Sequence, residues 1–266
     1  HNPKLKFVIG DIRDYQNLFK VMHDVDFVVH AAATKIVPTA ETNPAECIKT
    51  NIIGAMNLVD ACINSGVKKV VALSTDKASN PINLYGASKL ASDKLFIAAN
   101  THETLFSVVR YGNVIGSRGS VIPLFLSLKG ESSLPITDTR MSRFMITLEE
   151  SIGLVWKVLA DMQGGEIYTK KIPSMLVTDI AKAINPEADF EIVGIRPGEK
   201  IHEQMISQDD APYTYEYKDY YKIIPATYTP SQKDESTIVG KIVDPNFIYS
   251  SENNIDWMSA EDLRGK

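Results

Sequence analysis

The sequence predicts an α/β protein with a doubly wound parallel sheet and a smaller C-terminal region. In the first half, short apolar runs alternate with stretches whose apolar residues recur at helical spacing. Continuous apolar runs are typical of strands buried on both faces, and strands that alternate with helices favour a parallel sheet with right-handed crossovers. After Gly116 the pattern becomes less regular. We therefore predict a sheet domain over residues 1–116, and mainly a second domain, together with a C-terminal tail, over residues 117–266.

The elements of the first half follow from these two patterns. Gly66 stands just past a long helical stretch, where a left-handed cap is expected. A further helix carries Tyr85 and Lys89, and it follows a short apolar strand. The predicted strands are 7–11, 27–30, 70–73 and 106–110, and the other predicted helices are 15–22 and 44–65.

The second half predicts shorter elements. Helices are expected over 149–162, which two glycines close, and over 175–184. A short helix or loop begins at Gly119, and the residues from about Ala211 onward predict an irregular surface tail. A turn or short strand is expected at 134–138 and a small strand at 190–194.

Composition excludes several functional classes. The chain has 266 residues, a net charge of −5 and no Lys/Arg run, so a nucleic-acid partner is not indicated. Its two cysteines, Cys47 and Cys62, are too few for a disulfide scaffold or a structural zinc site, and we predict no metal. No apolar run approaches the roughly 18 residues that span a bilayer, so we expect a cytoplasmic protein with no membrane segment in this sequence.

The amino terminus raises a separate expectation. The chain opens at His1, and neither G-x-G-x-x-G nor G-x-x-G-x-x-G occurs in it. We expect a fragment that lacks the first strands of a larger sheet. We also expect that this chain alone neither folds independently nor binds a dinucleotide tightly, which a cooperative thermal transition with micromolar NADP+ affinity would refute.

Four groups able to move protons lie between the 70–73 strand and the following helix. Ligands bind at this carboxyl edge in open α/β sheets. Tyr85 and Lys89 are four residues apart and share one helical face. A nearby ammonium lowers the phenol pKa from about 10 by favouring the phenolate. An amphipathic helix with a half-buried tyrosine and a solvated lysine is the alternative interpretation of this pair alone.

The wider pattern resembles a known family. The stretch from Ser74 to Lys89 is similar to the inverting UDP-N-acetylglucosamine 4,6-dehydratases, which belong to the extended short-chain dehydrogenase/reductase superfamily. The resemblance covers nearly the whole chain and implies a Rossmann-like sheet with a substrate domain. The stretches that carry it are 31–38, 49–51, 74–78, 80–89, 110–118 and 196–203.

The resemblance implies a mechanism. Tyr85, assisted by Lys89, takes the proton of the C4 hydroxyl while a hydride leaves C4. Lys77 is then the base at C5 and Asp76 the acid for the C6 hydroxyl, which requires a neutral Lys77 and a protonated Asp76 at the start. Thr75 would hold the 4-oxygen. The product is a UDP-2-acetamido-2,6-dideoxy-L-arabino-hexos-4-ulose, inverted at C5. The alternative is that Asp76 and Lys77 form an ordinary loop ion pair.

The resemblance also implies binding residues. NADP is the expected cofactor, with NAD less favoured, and UDP-N-acetylglucosamine is the expected substrate. Asp11 would accept from adenine or cap its own turn, and Arg196 and Glu199 would bind diphosphate and ribose or form a surface pair. Asn51 could tie its helix to the catalytic strand. The cofactor residues are Asp11, Ile12, Ala31, Ala32, Lys35, Ser74, Tyr85, Lys89 and Val114; the substrate residues are Lys35, Asn113, Thr137, Arg196 and Glu199; Arg118 and Arg143 are uncommitted phosphate contacts.

Three other functions stay open. A UDP-hexose 4-epimerase shares Tyr85 and Lys89 but needs no base at C5. A membrane-anchored retaining dehydratase typically carries Met where Tyr85 stands. From a different class, the chain could be a non-catalytic cofactor sensor. The resemblance further implies a homo-oligomer, dimer or hexamer, and a product for surface glycans such as the pseudaminic acid of glycosylated flagellin.

Overall fold

The computed structural model describes residues 2–228 and 239–266. The strands in this part of the chain are β1 Phe27–His30, β2 Lys69–Leu73, β3 Leu105–Arg110, β4 Asn113–Val114, β5 Ser133–Ile136, β6 Ser142–Ile146, β7 Ile167–Lys170, β8 Ser174–Leu176, β9 Asp189–Ile192, β10 Gln204–Ile206, β11 Thr214–Glu216, β12 Tyr220–Ile223, β13 Lys241–Ile242 and β14 Tyr249–Ser250. The α-helices are α1 Tyr15–Val21, α2 Val37–Thr42, α3 Pro44–Ile48, α4 Gly54–Asn64, α5 Leu84–Ala98, α6 Val121–Ser127, α7 Leu148–Asp161, α8 Val177–Ile184 and α9 Ala260–Arg264.

The main sheet has seven strands in the order β1-β2-β3-β7-β12-β11-β13. Its first four strands are parallel, with Val28 opposite Val70 and Val70 opposite Phe106. Because successive side chains in a strand point to opposite faces, β2 serves two cores. Val70 and Ala72 join the core under α4 and α5, whereas Val71 joins the core under α7. Helices therefore cover both faces, and the predicted α/β class with a parallel sheet is confirmed.

Helix ends in this fold follow their capping residues. The Asn83 side chain accepts from Gly86 N at 2.7 Å, which fixes the start of α5. Thr147 and Glu150 form a reciprocal capping box at the start of α7. Gly66 has a φ of +72°, the left-handed conformation expected after α4.

The predicted 44–65 helix is continuous but not uniform. Residues Lys49–Ile53 form a π-helical turn between α3 and α4. Such a turn holds one residue more than a regular α-helical turn, and it occurs often near functional sites. Apolar spacing alone does not reveal it.

The predicted 7–11 strand is wrong. Residues 5–10 carry no strand, and Phe7 is 89% exposed. A strand needs a neighbour for its backbone hydrogen bonds, and none of the described strands lies beside this segment. The apolar residues of this segment therefore do not form a strand of the sheet.

The predicted irregular tail is also wrong. Strand β12 pairs antiparallel with β7, and β11 and β13 extend the sheet from it. Tyr220, Tyr221 and Ile223 are buried, so the tyrosines of this region serve as core residues. Residues 229–238 of the predicted tail lie outside the described residues.

A second apolar core forms beside the main sheet. Phe125, Leu134 and Met145 are among its buried residues, and it packs α6, α8 and α9 together with short strands. Residues 175–176, predicted as helix, instead complete β8, because Met175 pairs with Arg143 of β6. The division of the chain at residue 116 stays a prediction. Among the described helices, none is long and apolar enough to cross a membrane.

Candidate active site

A cavity of about 510 Å³ opens at the carboxyl ends of β1, β2 and β3. Ser74 and Thr75 follow β2 directly, and Ala31 follows β1, so the strand ends supply part of its wall. This is the edge at which open α/β sheets bind ligands.

Most of the predicted site residues come together here. Asp11, Ile12 and Ala32 do not line this cavity, and Asp76 is buried behind Thr75 and Lys77. The predicted residues that line it are Ala31, Lys35, Ser74, Thr75, Lys77, Tyr85, Lys89, Asn113, Val114, Thr137, Arg196 and Glu199.

Tyr85 lies in the first turn of α5, close to the loop that carries Asp76 and Lys77. Gly86 permits this approach, because a Cβ there would lie 2.2 Å from the Lys77 carbonyl oxygen. Burial raises the pKa of Tyr85 to about 12, and the ammonium that opposes this is that of Lys77. The sequence predicted a lowered pKa through Lys89, so here desolvation outweighs the neighbouring charge.

Lys89 lies one turn further along α5 and is 3% exposed. Burial lowers its pKa, and Asp93 partly opposes the shift. His30, at the end of β1, has its pKa lowered to about 3, mainly by burial and further by the Lys89 charge. Both groups are therefore biased toward their neutral forms.

Asp76, Lys77 and Glu203 form a charged cluster at the cavity. Lys77 Nζ lies 3.1 Å from Asp76 Oδ1 and 3.1 Å from Glu203 Oε1. Burial raises the pKa of Asp76, and Glu203 adds to the shift while Lys77 opposes it. Burial alone would also raise the pKa of Glu203, but the positive charges of Lys77 and Arg143 outweigh burial, so that this pKa is lowered. Of the two carboxyl groups, Asp76 is therefore the one whose pKa is raised, which is the direction expected of burial.

Lys77 differs from its predicted state. Burial alone would lower the pKa of its ammonium, but the carboxylates of Asp76 and Glu203 outweigh burial and raise it. The expectation of a ready-made neutral Lys77 was wrong, because it did not include Glu203. Glu203 stands inside the 196–203 stretch, which carried the resemblance but gave this residue no role.

Arg143 holds the far side of this cluster. Its Nε lies 3.9 Å from Glu203 Oε1, and its Nη1 donates to the Ser142 and Ile201 carbonyl oxygens at 2.7 and 3.0 Å. These bonds fix the guanidinium against the backbone, so it stays beside Glu203. No phosphate contact is needed to explain its position.

Asn51, on the π-helical turn, is buried and fully bonded. Its amide accepts from Thr34 N at 2.8 Å and donates to Thr34 O at 3.0 Å and to Ser88 Oγ at 2.9 Å. It therefore ties the segment after β1 to helix α5, next to Lys89. The sequence predicted a tie to the catalytic strand, and the partner is the catalytic helix instead.

The loop after β9 closes over the start of α5. Asn83 Nδ2 donates to Gly198 O at 2.7 Å, and Lys200 Nζ donates to Ser79 O at 2.8 Å. Gly198 has a φ of +80°, which favours glycine at this contact. Arg196 and Glu199 form an ion pair on this loop while both line the cavity.

Asp11 lies away from the cavity. Its carboxylate accepts from Arg13 N at 2.8 Å and from the Arg13 guanidinium at 2.7 Å. These bonds hold the pKa of Asp11 down at about 2. Two roles were predicted for Asp11, an adenine contact and a cap of its own turn. The bonds to Arg13 correspond to the cap of the turn. Within the described ranges, no group of three or more His, Cys, Asp or Glu residues is arranged to hold a metal ion.

Comparison with protein families matches residues 1–225 to the model described as polysaccharide biosynthesis protein. The chain belongs to this polysaccharide biosynthesis family. Thr75, Tyr85 and Glu203 all lie inside the matched region. Ser251, which lies beyond it, accepts from Glu203 N at 2.9 Å and so supports the family's site from the C-terminal part.

Two similar proteins carry different names. A UDP-N-acetylglucosamine 4,6-dehydratase (inverting) of Campylobacter jejuni (strain 81-176) is 54% identical over 97% of this chain and 81% of its own length. A UDP-glucose 4-epimerase of Rickettsia rickettsii is 43% identical over 84% of this chain and 68% of its own length.

Solved structures agree with the fold of this family member. Pen from Bacillus thuringiensis has a TM-score of 0.88 and 36% identity, with 99% of this chain and 81% of Pen covered. A double mutant of DesIV, a dTDP-glucose 4,6-dehydratase from Streptomyces venezuelae with NAD and DAU bound, has a TM-score of 0.70 and 27% identity, with 75% and 70% covered.

Proposed function

We propose that this protein catalyses the NADP-dependent 4,6-dehydration of UDP-N-acetylglucosamine with inversion at C5, as a hydro-lyase. The observation that carries the proposal is the Asp76–Lys77 pair beside Tyr85 at one cavity, since dehydration needs an acid and a base in addition to the hydride chemistry of Tyr85 and Lys89. The 54% identity to an inverting dehydratase supports it.

The residues fit a nicotinamide dinucleotide. Lys89 is buried, lines the cavity and makes no side-chain hydrogen bond with another described residue, which leaves its ammonium available to ribose hydroxyls. Ala31, Ser74 and Val114 would lie against the cofactor. When bound, the oxidised dinucleotide accepts a hydride from the sugar and later returns it. NADP rather than NAD stays our prediction, and no residue of this sequence is assigned to the pyrophosphate.

Tyr85 acts at the C4 hydroxyl. Ionised to the phenolate, its side chain takes the hydroxyl proton as the carbonyl forms, and the nearby Lys77 ammonium favours this phenolate. Thr75 lines the cavity, and its hydroxyl, which donates to Asp76 Oδ1 at 3.0 Å, would turn to donate to the same sugar oxygen instead.

Lys77 and Asp76 act at C5 and C6. A proton that moves from the Lys77 ammonium to Asp76 along their 3.1 Å hydrogen bond gives a neutral base and a protonated acid, the state that elimination requires. Lys77 then takes the C5 proton, and Asp76 gives its proton to the leaving C6 hydroxyl group. The raised pKa of Asp76 supports its part in this exchange. Returning a proton to the opposite face of C5 inverts that centre.

Binding of the UDP-sugar is assigned to other residues that line the same cavity. We propose that Asn113, Thr137 and Lys35 contact the substrate, and that Arg196 and Glu199 exchange their mutual ion pair for the diphosphate and the ribose hydroxyls. Homo-oligomerisation, a cytoplasmic location and a role in pseudaminic acid-type surface glycans stay predictions.

The test is the mass and stereochemistry of the product. The complete enzyme with NADP+ and UDP-N-acetylglucosamine should give a product lighter by one water, with inverted C5 seen in proton NMR couplings. A product of unchanged mass would contradict the proposal. It would favour a UDP-hexose 4-epimerase, the second candidate, which the 43% identity to named epimerases supports. A dehydrated product with retained C5 would indicate a retaining dehydratase, and no turnover a cofactor sensor.

A further inference from the structure

Glu203 is a buried carboxylate with a strong partner and no assigned role. It is 3% exposed, lines the cavity, and has Lys77 Nζ at 3.1 Å from its Oε1. Its Oε2 is buried and has no hydrogen-bond partner among the described residues. Buried carboxylates of this kind are costly unless a nearby charge compensates them.

The backbone holds Glu203 firmly in place. Its N–H donates to Ser251 Oγ at 2.9 Å, and its carbonyl oxygen accepts from Ser251 N at 2.8 Å. Strand β10, which begins at Gln204, pairs with β14 immediately beyond. The carboxylate is therefore presented to Lys77 by a paired strand rather than by a mobile side-chain arrangement.

We propose that Glu203 is a positioning residue for the dehydration: it holds Lys77 at the cavity and stabilises the ammonium that Lys77 becomes when it takes the C5 proton. This inference rests on the proposed function. The C5–H bond breaks and its proton joins the Lys77 nitrogen. The electron pair forms the C5–C6 double bond, the C6–O bond breaks, and the departing hydroxyl group leaves as water with the Asp76 proton.

The charge balance of the cluster agrees with this role. Asp76 carries no charge while it holds its proton and regains a negative charge only as that proton leaves with the hydroxyl group, so Glu203, 3.1 Å from Lys77 Nζ, is the carboxylate that stays charged beside Lys77 throughout the step. Glu203 keeps its charge, because Lys77 and Arg143 lower its pKa against burial. The titratable or charged groups that interact with Lys77 are Asp76, Tyr85, Arg143, Lys200 and Glu203.

The test is Glu203→Gln, which keeps shape and removes charge, in the complete enzyme with NADP+. We expect product formation to fall about 10- to 100-fold, the loss typical of removing a group that supports a catalytic side chain. Reduced dinucleotide should still form on mixing with substrate and should accumulate, and the isotope effect with 5-deuterated substrate should increase. Since Glu203 raises the pKa values of both Lys77 and Asp76, the pH–rate profile should shift to lower pH.

Glu203→Asp, which keeps the charge, should recover part of the rate, and the surface variant Glu216→Gln should behave as wild type. Formation of reduced dinucleotide reports that Glu203→Gln is folded. If that variant reduces the dinucleotide but shows an unshifted profile and an unchanged isotope effect, the proposal is overturned. If it forms no reduced dinucleotide while Glu203→Asp also fails to recover activity, Glu203 is structural and the proposal is equally overturned. Wild-type product of unchanged mass would instead refute the proposed function itself.

Discussion

Lys77 and Lys89 line the same cavity, and their surroundings differ. Lys77 has carboxylates on two sides, which raise the pKa of its ammonium, whereas Lys89 is more deeply buried and its pKa is lowered. Burial acts in the same direction on both. The difference therefore comes from the placement of Asp76 and Glu203, and it teaches that neighbouring charge rather than depth decides whether the pKa of a lysine at this cavity rises or falls.

The largest expected effect comes from removing each ammonium. Lys77→Met should lower product formation about 1,000-fold, the scale of general acid–base catalysis, while reduced dinucleotide still forms. Lys89→Met should impair formation of the reduced dinucleotide itself. Rapid-mixing absorbance and product mass measure the two steps, and the surface variant Lys68→Met is the control. Equal loss of dinucleotide reduction in both variants would contradict separate roles for the two lysines.

The position of helix α5 near Lys89 also depends on Asn51, which bonds to the neighbouring Ser88. Asn51→Ala should lower the free energy of unfolding by about 2 to 3 kcal/mol, because the Thr34 backbone groups and Ser88 lose their partner. Urea denaturation measures the change. Asn57→Ala is the matched control on the same helical segment, with bonds only to the Ile12 and Arg13 carbonyl oxygens, and it should cost less. Equal losses of unfolding free energy in the two variants would show that the hydrogen bond from Asn51 to α5 adds no stability of its own.

Burial of His30, near Lys89, makes the stability of the folded protein sensitive to acid. Because its folded-state pKa is about 3, below the unfolded value of 6.5, the unfolded state binds the proton first and stability falls as pH drops through 6.5 toward 3. Between about pH 7.5 and pH 5 the loss should be about 2 kcal/mol. His30→Asn should lack this part of the pH dependence in chemical denaturation. An unchanged dependence would place the titration on other groups.

The smallest effect is expected at Asp11. Asp11→Asn should leave the thermal midpoint unchanged, because the Arg13 pair is on the surface. If Asp11 also contacts the adenine, dinucleotide affinity should fall about tenfold, the worth of one hydrogen bond. Calorimetric titration with NADP+ measures this. An unchanged affinity would show that Asp11 does not contact the adenine and only stabilises its own turn.

Much of this fold was predictable because its signals are local. The strand at Val70, the α5 helix and the Gly66 cap each follow from a few neighbouring residues. The tail was mispredicted because Tyr220 and Tyr221 show their role only against β7, about 50 residues earlier in the chain. The site divides in the same way: Asp76 and Lys77 are adjacent in sequence, but Glu203 reaches them only through the packing of β10.

The π-helical turn at Lys49–Ile53 has a consequence for how this chain tolerates insertions and deletions. An α-helix advances by about 100° per residue, so the extra residue in this turn sets the rotational phase of everything after it. Removing one residue would restore a regular helix but rotate Asn51 or the apolar stripe of α4 out of register. Only one of the two could keep its partners. The number of residues in this helix is therefore constrained by the contacts of Asn51 and by those of the α4 apolar stripe together.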